Sequence, residues 1–423
     1  MLVRLVHCTR CIRFGDEIGG FNDLGTTGRG RSTEIGTYVD KMLSSELSGN
    51  LADVCPVGAL NNGPFAYTSR PYELLSKQSI DVMDGLGSNV LVDYKENNIM
   101  RVNPFVNEEI NEEWLSDKSR HAFDGLKRQR LMRPLIRNGE NYAECDWSDA
   151  ISLIRSKVEK VDGSQIAAGI GEFEDVESIL SLKDFLNSLD SYNYEFRSGS
   201  SLSVDPTFRT NYLMNSRIQG IEDADAILLV GVNPKTEAPV LNSRILKATR
   251  KGAKVYVVGG GNDLTYEYKH LGASPEVLQQ VSDGTHPVSA ELKNAKLPMV
   301  IVGRDVLART DASGILDTLK KLSINYNVVN TANGWNGFNI LHRNQGEVNA
   351  LELGLDLKKK VDQPKVIFLL GCDNWISPAD VPKDAFVVYI GTHGDVGAQY
   401  ADVVLPAAAY TEKSGTFGTR CLI

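Results

Sequence analysis

Seven short apolar runs stand out in the later part of the chain: QIAAGIG (165–171), AILLVGVNP (226–234), KVYVVGG (254–260), PMVIVGRD (298–305), KVIFLLGC (365–372), AFVVYIG (385–391) and ADVVLP (401–406). Each is closed by Gly, Asn, Asp or Pro. A half-solvated strand alternates apolar and polar positions, whereas a continuous apolar run suits a strand buried on both faces. Between the runs lie amphipathic segments at helical spacing. DWSDAISLIRSKVEKV (146–161) has Asp146 or Ser148 as its cap, and APVLNSRILKATRKG (238–252) and SGILDTLKKLSINY (313–326) follow the same pattern. Buried strands alternating with helices predict a parallel sheet covered on both sides. Residues 138–423 are therefore read as a doubly wound α/β region, with a division into two lobes as one arrangement.

The pattern changes upstream. Within 76–137, NVLVDY (89–94) and IMRVNP (99–104) alternate around a turn at Lys95–Asn98, a β-hairpin signal. EEINEEWLSDKSRHAFDGLKRQRL (108–131) reads as helix and loop. Residues 1–75 show little periodicity, and FNDLGTTGRGRSTEIGTYV (21–39) reads as loops with short strands. Such a segment buries little apolar surface, so something else should staple it.

Composition narrows the class. The chain is 42% hydrophobic and 23% charged, ordinary for a globular protein. Its net charge of −9, from 54 acidic and 45 basic residues, argues against a general nucleic-acid binder. No apolar run reaches the roughly 18 residues of a spanning helix, so any work at a membrane goes through partners. The opening MLVRLVHC reads as neither a signal nor a transit peptide. The six cysteines, at 8, 11, 55, 145, 372 and 421, are too few for a disulfide scaffold. They suit a reducing compartment and metal or redox chemistry.

Cys8 and Cys11 form a Cys-x-x-Cys pair in RLVHCTRCIRF, and Cys55 is followed by Pro56 in LADVCPVGAL. A Cys-x-x-Cys pair with a distant Cys-Pro is a ferredoxin-like way to hold a four-iron cluster, whose irons favour soft thiolates. Zinc binding and plain cysteines remain open on spacing alone. A thioredoxin-type pair would follow a strand in a βαβ unit, which is missing here. A C-x2-C-x2-C run would place a further cysteine at position 5, where Leu5 stands. Cys145 and Cys372 read as core packing, and Cys421 lies in a short tail. Arg10 and Arg13 flank the pair, either as ordinary salt-bridged surface residues or as charges that raise a cluster's potential.

Longer stretches carry a resemblance: HCTRCIRF, NDLGTTGRGR, SELSGNLADVCPVGAL, SIDVMDGLGSNV, INEEWLSDKSRHAFDGLKRQRL, LLVGVNPKTEAPVLNSRI, NILHR (339–343) and HGDVGAQYADVVLPAAAYTEKSGTF. Over almost the whole chain these resemble the large iron–sulfur subunit of mitochondrial respiratory complex I, the NADH–ubiquinone oxidoreductase. The resemblance implies a 4Fe-4S cluster on Cys8, Cys11 and Cys55, with Leu5 at the position of the fourth ligand. It also implies a small iron–sulfur segment followed by a region like the molybdopterin oxidoreductases, such as formate dehydrogenase. Residues 1–75 are then the remnant of a ferredoxin-like 4Fe-4S domain. Residues 76–137 resemble the 4Fe-4S cap of molybdopterin oxidoreductases without its cysteines, and 138–423 form a C-terminally incomplete α/β domain. The family's N-terminal two-iron domain is absent and the match breaks off after EKSGTF, so the chain is expected to be truncated at both ends.

The function implied is an electron relay from NADH and flavin toward ubiquinone, with no activity as an isolated chain. Its implied partners are other peripheral-arm subunits, including the flavin-binding one, on the matrix side of the mitochondrial inner membrane. Two alternatives stay open: a non-catalytic scaffold with an incomplete cluster site, and a formate-dehydrogenase-like molybdopterin oxidoreductase. GVNP (231–234) and GTHGD (391–395) sit at strand ends where phosphate-bearing cofactors bind, but any parallel sheet needs such turns. With no cysteine in 78–140, no molybdopterin is expected.

Overall fold

A computed structural model describes residues 6–37, 42–196, 202, 204–355, 363–373 and 381–418. The chain forms two compact units. One is built from Met1–Phe123, Leu213–Val306 and Ser313–Arg343, the other from Asp124–Tyr212, Leu307–Ala312 and Asn344–Ile423. The seven apolar runs are all strands, and they divide between two sheets, one in each unit.

The first unit holds a five-stranded, wholly parallel sheet. Its order is Lys269–Gly272, Lys254–Val258, Ala226–Val230, Pro298–Gly303 and Phe338–Leu341. Ala226–Val230 and Pro298–Gly303 are buried at every position, which is why their sequences are continuous rather than alternating. The chain builds outward from Ala226–Val230 and then returns to its other side, so the winding reverses between that strand and Pro298–Gly303. The two backbones come so close beyond this point that a Cβ on Gly303 would lie 2.1 Å from Gly231 O.

The same unit carries a three-stranded antiparallel sheet, Leu75–Ile80, Asn89–Lys95 and Asn98–Pro104. The turn expected at Lys95–Asn98 is a two-residue loop in which Glu96 takes a left-handed φ of 56°. Buried Asp93 ties the three strands together. It accepts from Ser76 Oγ at 2.5 Å and from Arg101 Nε at 2.6 Å, both directly opposite it.

The glycine-rich N-terminal segment folds as a short helix Arg10–Phe14, a ladder of Gly25–Thr27 with Glu34–Gly36, and a helix Asn50–Val54. Packing staples it. Cys11, Phe14, Ile35, Leu47 and Leu51 join one core with Leu241 and Ile245 of helix Pro239–Arg250 and with Ile227 of the sheet. Phe14 lies 4.9 Å from the Trp114 ring, centroid to centroid. A segment too small to bury its own core thus shares that of a larger neighbour.

The second unit holds a seven-stranded sheet in the order Asn141–Glu144, Leu135–Asn138, Val403–Pro406, Phe386–Gly391, Val366–Leu370, Ile166–Ile170, Tyr194–Phe196. Five strands are parallel, and the hairpin Leu135–Asn138/Asn141–Glu144 adds to one edge antiparallel. Helix Trp147–Val158 begins after Asp146, whose side chain makes no cap hydrogen bond. Helix Val176–Ser188 is capped by Asp175, which accepts from Ser178 N at 3.0 Å. Here too the winding reverses where two glycines meet: a Cβ on Gly171 would lie 1.8 Å from Gly371 O.

Candidate metal centre

Cys8, Cys11 and Cys55 line one small pocket with His7, Arg10, Ile35, Pro56, Val57 and Leu60. Three features of the chain deliver them there. Cys8 is exposed, between His7 (φ 51°) and Thr9 (φ 60°), two left-handed residues that fold the backbone sharply around it. Cys11, in the first turn of helix Arg10–Phe14, points into the core and is buried. Cys55 ends helix Asn50–Val54 in extended conformation, and its thiol donates to Val57 O at 2.9 Å. Burial pushes the Cys11 thiol above its usual range. The backbone N–H groups of Ile12 and Cys11 pull it down, and the neighbouring Cys8 and Cys55 push it up again.

Among the described residues no three His, Cys, Asp or Glu side chains stand as a group around a single metal ion. A mononuclear zinc site needs that convergence. An iron–sulfur cluster takes its thiolates at separate irons. Three soft donors on one apolar pocket are compatible with a cluster's chemistry. Leu5 and Cys421 lie outside the described residues.

The flanking arginines are exposed, and among the described residues neither Arg10 nor Arg13 forms an ion pair. Cys372 is buried at the end of its strand, as expected. Cys145 is only half-buried, with its Sγ 3.6 Å from Pro134 O, because it follows an edge hairpin rather than a core strand.

The helix that ends at Cys55 is held by residues that the sequence did not single out. Asp117 accepts from Gly49 N at 2.7 Å and from Ser48 Oγ at 2.5 Å. Asn50 donates to Leu47 O at 2.9 Å and Leu115 O at 2.8 Å, and accepts from Leu115 N at 3.0 Å. Arg120 donates to Asn50 Oδ1 at 3.0 Å and Asp53 Oδ2 at 2.6 Å. No local spacing signals these pairs, most of which join positions more than sixty residues apart.

The crevices at the carboxyl ends of the sheets are where a pterin cofactor's phosphates would bind. In the seven-stranded sheet this region carries Glu174, Asp175 and Asp373. Lys413 Nζ stands 3.0 Å from Glu174 Oε2 and 2.5 Å from Asp175 Oδ1. Asp373 accepts from Tyr389 Oη at 2.8 Å and from Gly397 N at 3.2 Å. Burial raises the Glu174 carboxyl, partly offset by Lys413. In GTHGD, His393 is engaged by Thr392 Oγ1 at 2.8 Å and Gly125 O at 2.9 Å. In the five-stranded sheet, the Asn233 N–H of GVNP donates to Glu237 Oε1 at 3.0 Å. Among the described residues these groups are acidic or already committed to the chain itself, an arrangement that does not favour a phosphate-bearing cofactor.

Comparison with known proteins bears on both regions. Residues 130–420 match the molybdopterin oxidoreductase family. Residues 1–61 match the ferredoxin-like domain of NADH-quinone oxidoreductase subunit 3. Residues 74–124 match the 4Fe-4S domain of NADH-ubiquinone oxidoreductase NDSU1/NuoG-like proteins, although they contain no cysteine here. The chain is 44% identical to the mitochondrial NADH dehydrogenase [ubiquinone] iron-sulfur protein 1 of Solanum tuberosum, over 99% of this chain and 56% of that protein. It is 44% identical to the mitochondrial NADH-ubiquinone oxidoreductase 78 kDa subunit of Candida albicans, over 98% of this chain and 58% of that one. Against the NADH-ubiquinone oxidoreductase 75 kDa subunit of Reclinomonas americana the identity is 43%, over 99% and 63%. The chain thus spans less than two thirds of the length of these relatives. With an α/β fold and a match over most of its length, it belongs to the molybdopterin oxidoreductase family.

Proposed function

We propose that this chain is an electron-relay subunit of an NADH:ubiquinone oxidoreductase, holding a 4Fe-4S cluster through Cys8, Cys11 and Cys55. The observation that carries this reading is the meeting of the three thiols on one pocket, within a segment that matches a ferredoxin-like domain of that enzyme. A bound cluster supplies one-electron transfer. The chain's own residues do the rest. Cys8, Cys11 and Cys55 give up their thiol protons on ligation. Ile35, Pro56, Val57 and Leu60 keep water from the pocket. Exposed Cys8 and Arg10 mark the side nearest solvent or a partner.

In this reading the expected bounds are redrawn: residues 1–75 carry the cluster, 76–123 of the same unit brace it, and the rest, divided between the two units, forms the α/β scaffold. The acidic, internally paired crevices support a scaffold without molybdopterin. The partners in this reading are the peripheral-arm subunits, including the flavin-binding one that oxidises NADH, on the matrix side of the mitochondrial inner membrane. Among the described residues no helix is long and apolar enough to cross a membrane.

The test is anaerobic reconstitution of the chain with iron and sulfide, followed by metal analysis and electron paramagnetic resonance of the reduced protein. Iron and sulfide in near-equal amounts, with a reducible cluster signal, support the relay. Protein without iron leaves the scaffold reading, and bound molybdenum would favour the formate-dehydrogenase-like one.

A further inference from the structure

Arg120 is among the largest fully buried side chains of the protein, 1% exposed. Among the described residues its carboxylate partner is Asp53, with a side chain 36% exposed, and Arg120 Nε and Nη1 find no hydrogen-bond partner. A buried guanidinium so incompletely satisfied is expensive, and an apolar residue of similar volume would serve packing better. What the arginine provides is direction. Through Nη2 it reaches both Asn50 Oδ1 and Asp53 Oδ2, one near each end of helix Asn50–Val54. The contact is close from the backbone side as well: a Cβ on Gly49 would lie 2.7 Å from Arg120 Cδ and from Asp117 Oδ1. Helix Asn50–Val54 is only five residues long and ends at Cys55, so its orientation sets where that thiol stands against Cys8 and Cys11.

We propose that Arg120 is a positioning residue for the iron–sulfur cluster: its guanidinium fixes helix Asn50–Val54 and so places Cys55 relative to the Cys8–Cys11 pair. The proposal rests on the cluster reading above. Lysine is a poor replacement, because the two N–H groups of a planar Nη2 point in fixed directions, whereas an ammonium turns freely on a flexible stem.

The test compares the full chain, reconstituted with iron and sulfide, with its Arg120→Lys, Arg120→Met and Asp53→Asn variants. Arg101→Lys serves as the control. Arg101 is also a partly buried arginine paired with a carboxylate in the same unit, but it binds Asp93, away from the cysteine helix. The readouts are iron and sulfide per chain, the g-values of the reduced cluster, the rate of iron loss to a chelator, and thermal unfolding. Positioning predicts shifted or broadened g-values and several-fold faster iron loss in Arg120→Lys and Asp53→Asn, with Arg101→Lys like the parent at matched stability loss. Parental spectra and iron-loss rates in folded Arg120→Lys and Asp53→Asn overturn the proposal, as does an equal effect in Arg101→Lys. If Arg120→Met fails to fold, the two milder variants decide. Absence of iron and sulfide from the parent chain overturns the cluster reading itself, and this proposal with it.

Discussion

Lys413 Nζ lies 3.0 Å from Glu174 Oε2, and both side chains are largely buried at the carboxyl end of the seven-stranded sheet. Burial works against the lysine's charge, but Glu174 and Asp175 outweigh it and hold its proton more firmly than usual. Breaking a buried pair by removing one partner strands the other charge. Lys413→Met should therefore destabilise the protein by about 3–5 kcal/mol in chemical denaturation. Glu174 then prefers its neutral form, so the loss should be larger at pH 8 than at pH 5. Adding Glu174→Gln should recover part of it. An equal loss at both pH values would show that the pair is not ionic.

Asp81 gives a second pH dependence. It is buried at the start of the loop before strand Asn89–Lys95, accepting from Met83 N at 3.0 Å and from Ser119 Oγ. Burial first, then nearby Asp84, push its carboxyl up to about 7, against the pull of Ser119, Met83 N–H and Lys118. A carboxyl raised in the fold binds its proton there more tightly than in the unfolded chain. Its stabilising contribution is fully present at low pH and declines from the unfolded value near 4 up to the folded value. Asp81→Asn should flatten stability between pH 4 and 7 and raise it at pH 8, by on the order of 2 kcal/mol or more. Urea midpoints across that range measure it.

The cysteines divide by position. Cys8→Ala, Cys11→Ala and Cys55→Ala should each sharply lower the iron and sulfide retained after reconstitution. Cys145→Ala, at a half-buried site outside the pocket, should leave both unchanged. Colorimetric iron and sulfide per chain check this, and retained iron in all three pocket variants would end the ligand assignment.

Two glycines should respond with opposite signs. A Cβ on Gly171 would overlap Gly371 O at 1.8 Å, backbone against backbone, so Gly171→Ala should cost several kcal/mol or prevent folding of its unit. Gly314 lies in helix Ala312–Asn325 with nothing within 4 Å of a Cβ, so Gly314→Ala should stabilise by about 0.5–1 kcal/mol. Thermal unfolding of the two variants distinguishes them at once.

Residue pattern was enough to specify the elements that burial on both faces requires. Ala226–Val230, Pro298–Gly303 and Val366–Leu370 are apolar throughout because every position of each is buried, on both faces of its sheet. The short edge strands Tyr194–Phe196 and Lys269–Gly272 are half solvated and only three and four residues long, too short to show any period. Cys8, Cys11 and Cys55 were legible as thiols with ligand spacing, because that chemistry belongs to residue type.

How the strands divide between two sheets came from tertiary packing, since pairing of equivalent apolar runs depends on which backbones can approach. The approaches at Gly171 with Gly371 and Gly231 with Gly303 join positions 200 and 72 residues apart. Packing also selected which polar groups meet in the interior. Arg120 with Asp53, Asp81 with Ser119 and Lys413 with Glu174 are 67, 38 and 239 residues apart. Each residue alone reads as an ordinary surface charge or hydroxyl. Only the fold takes them out of water, and only there does burial make the partner matter.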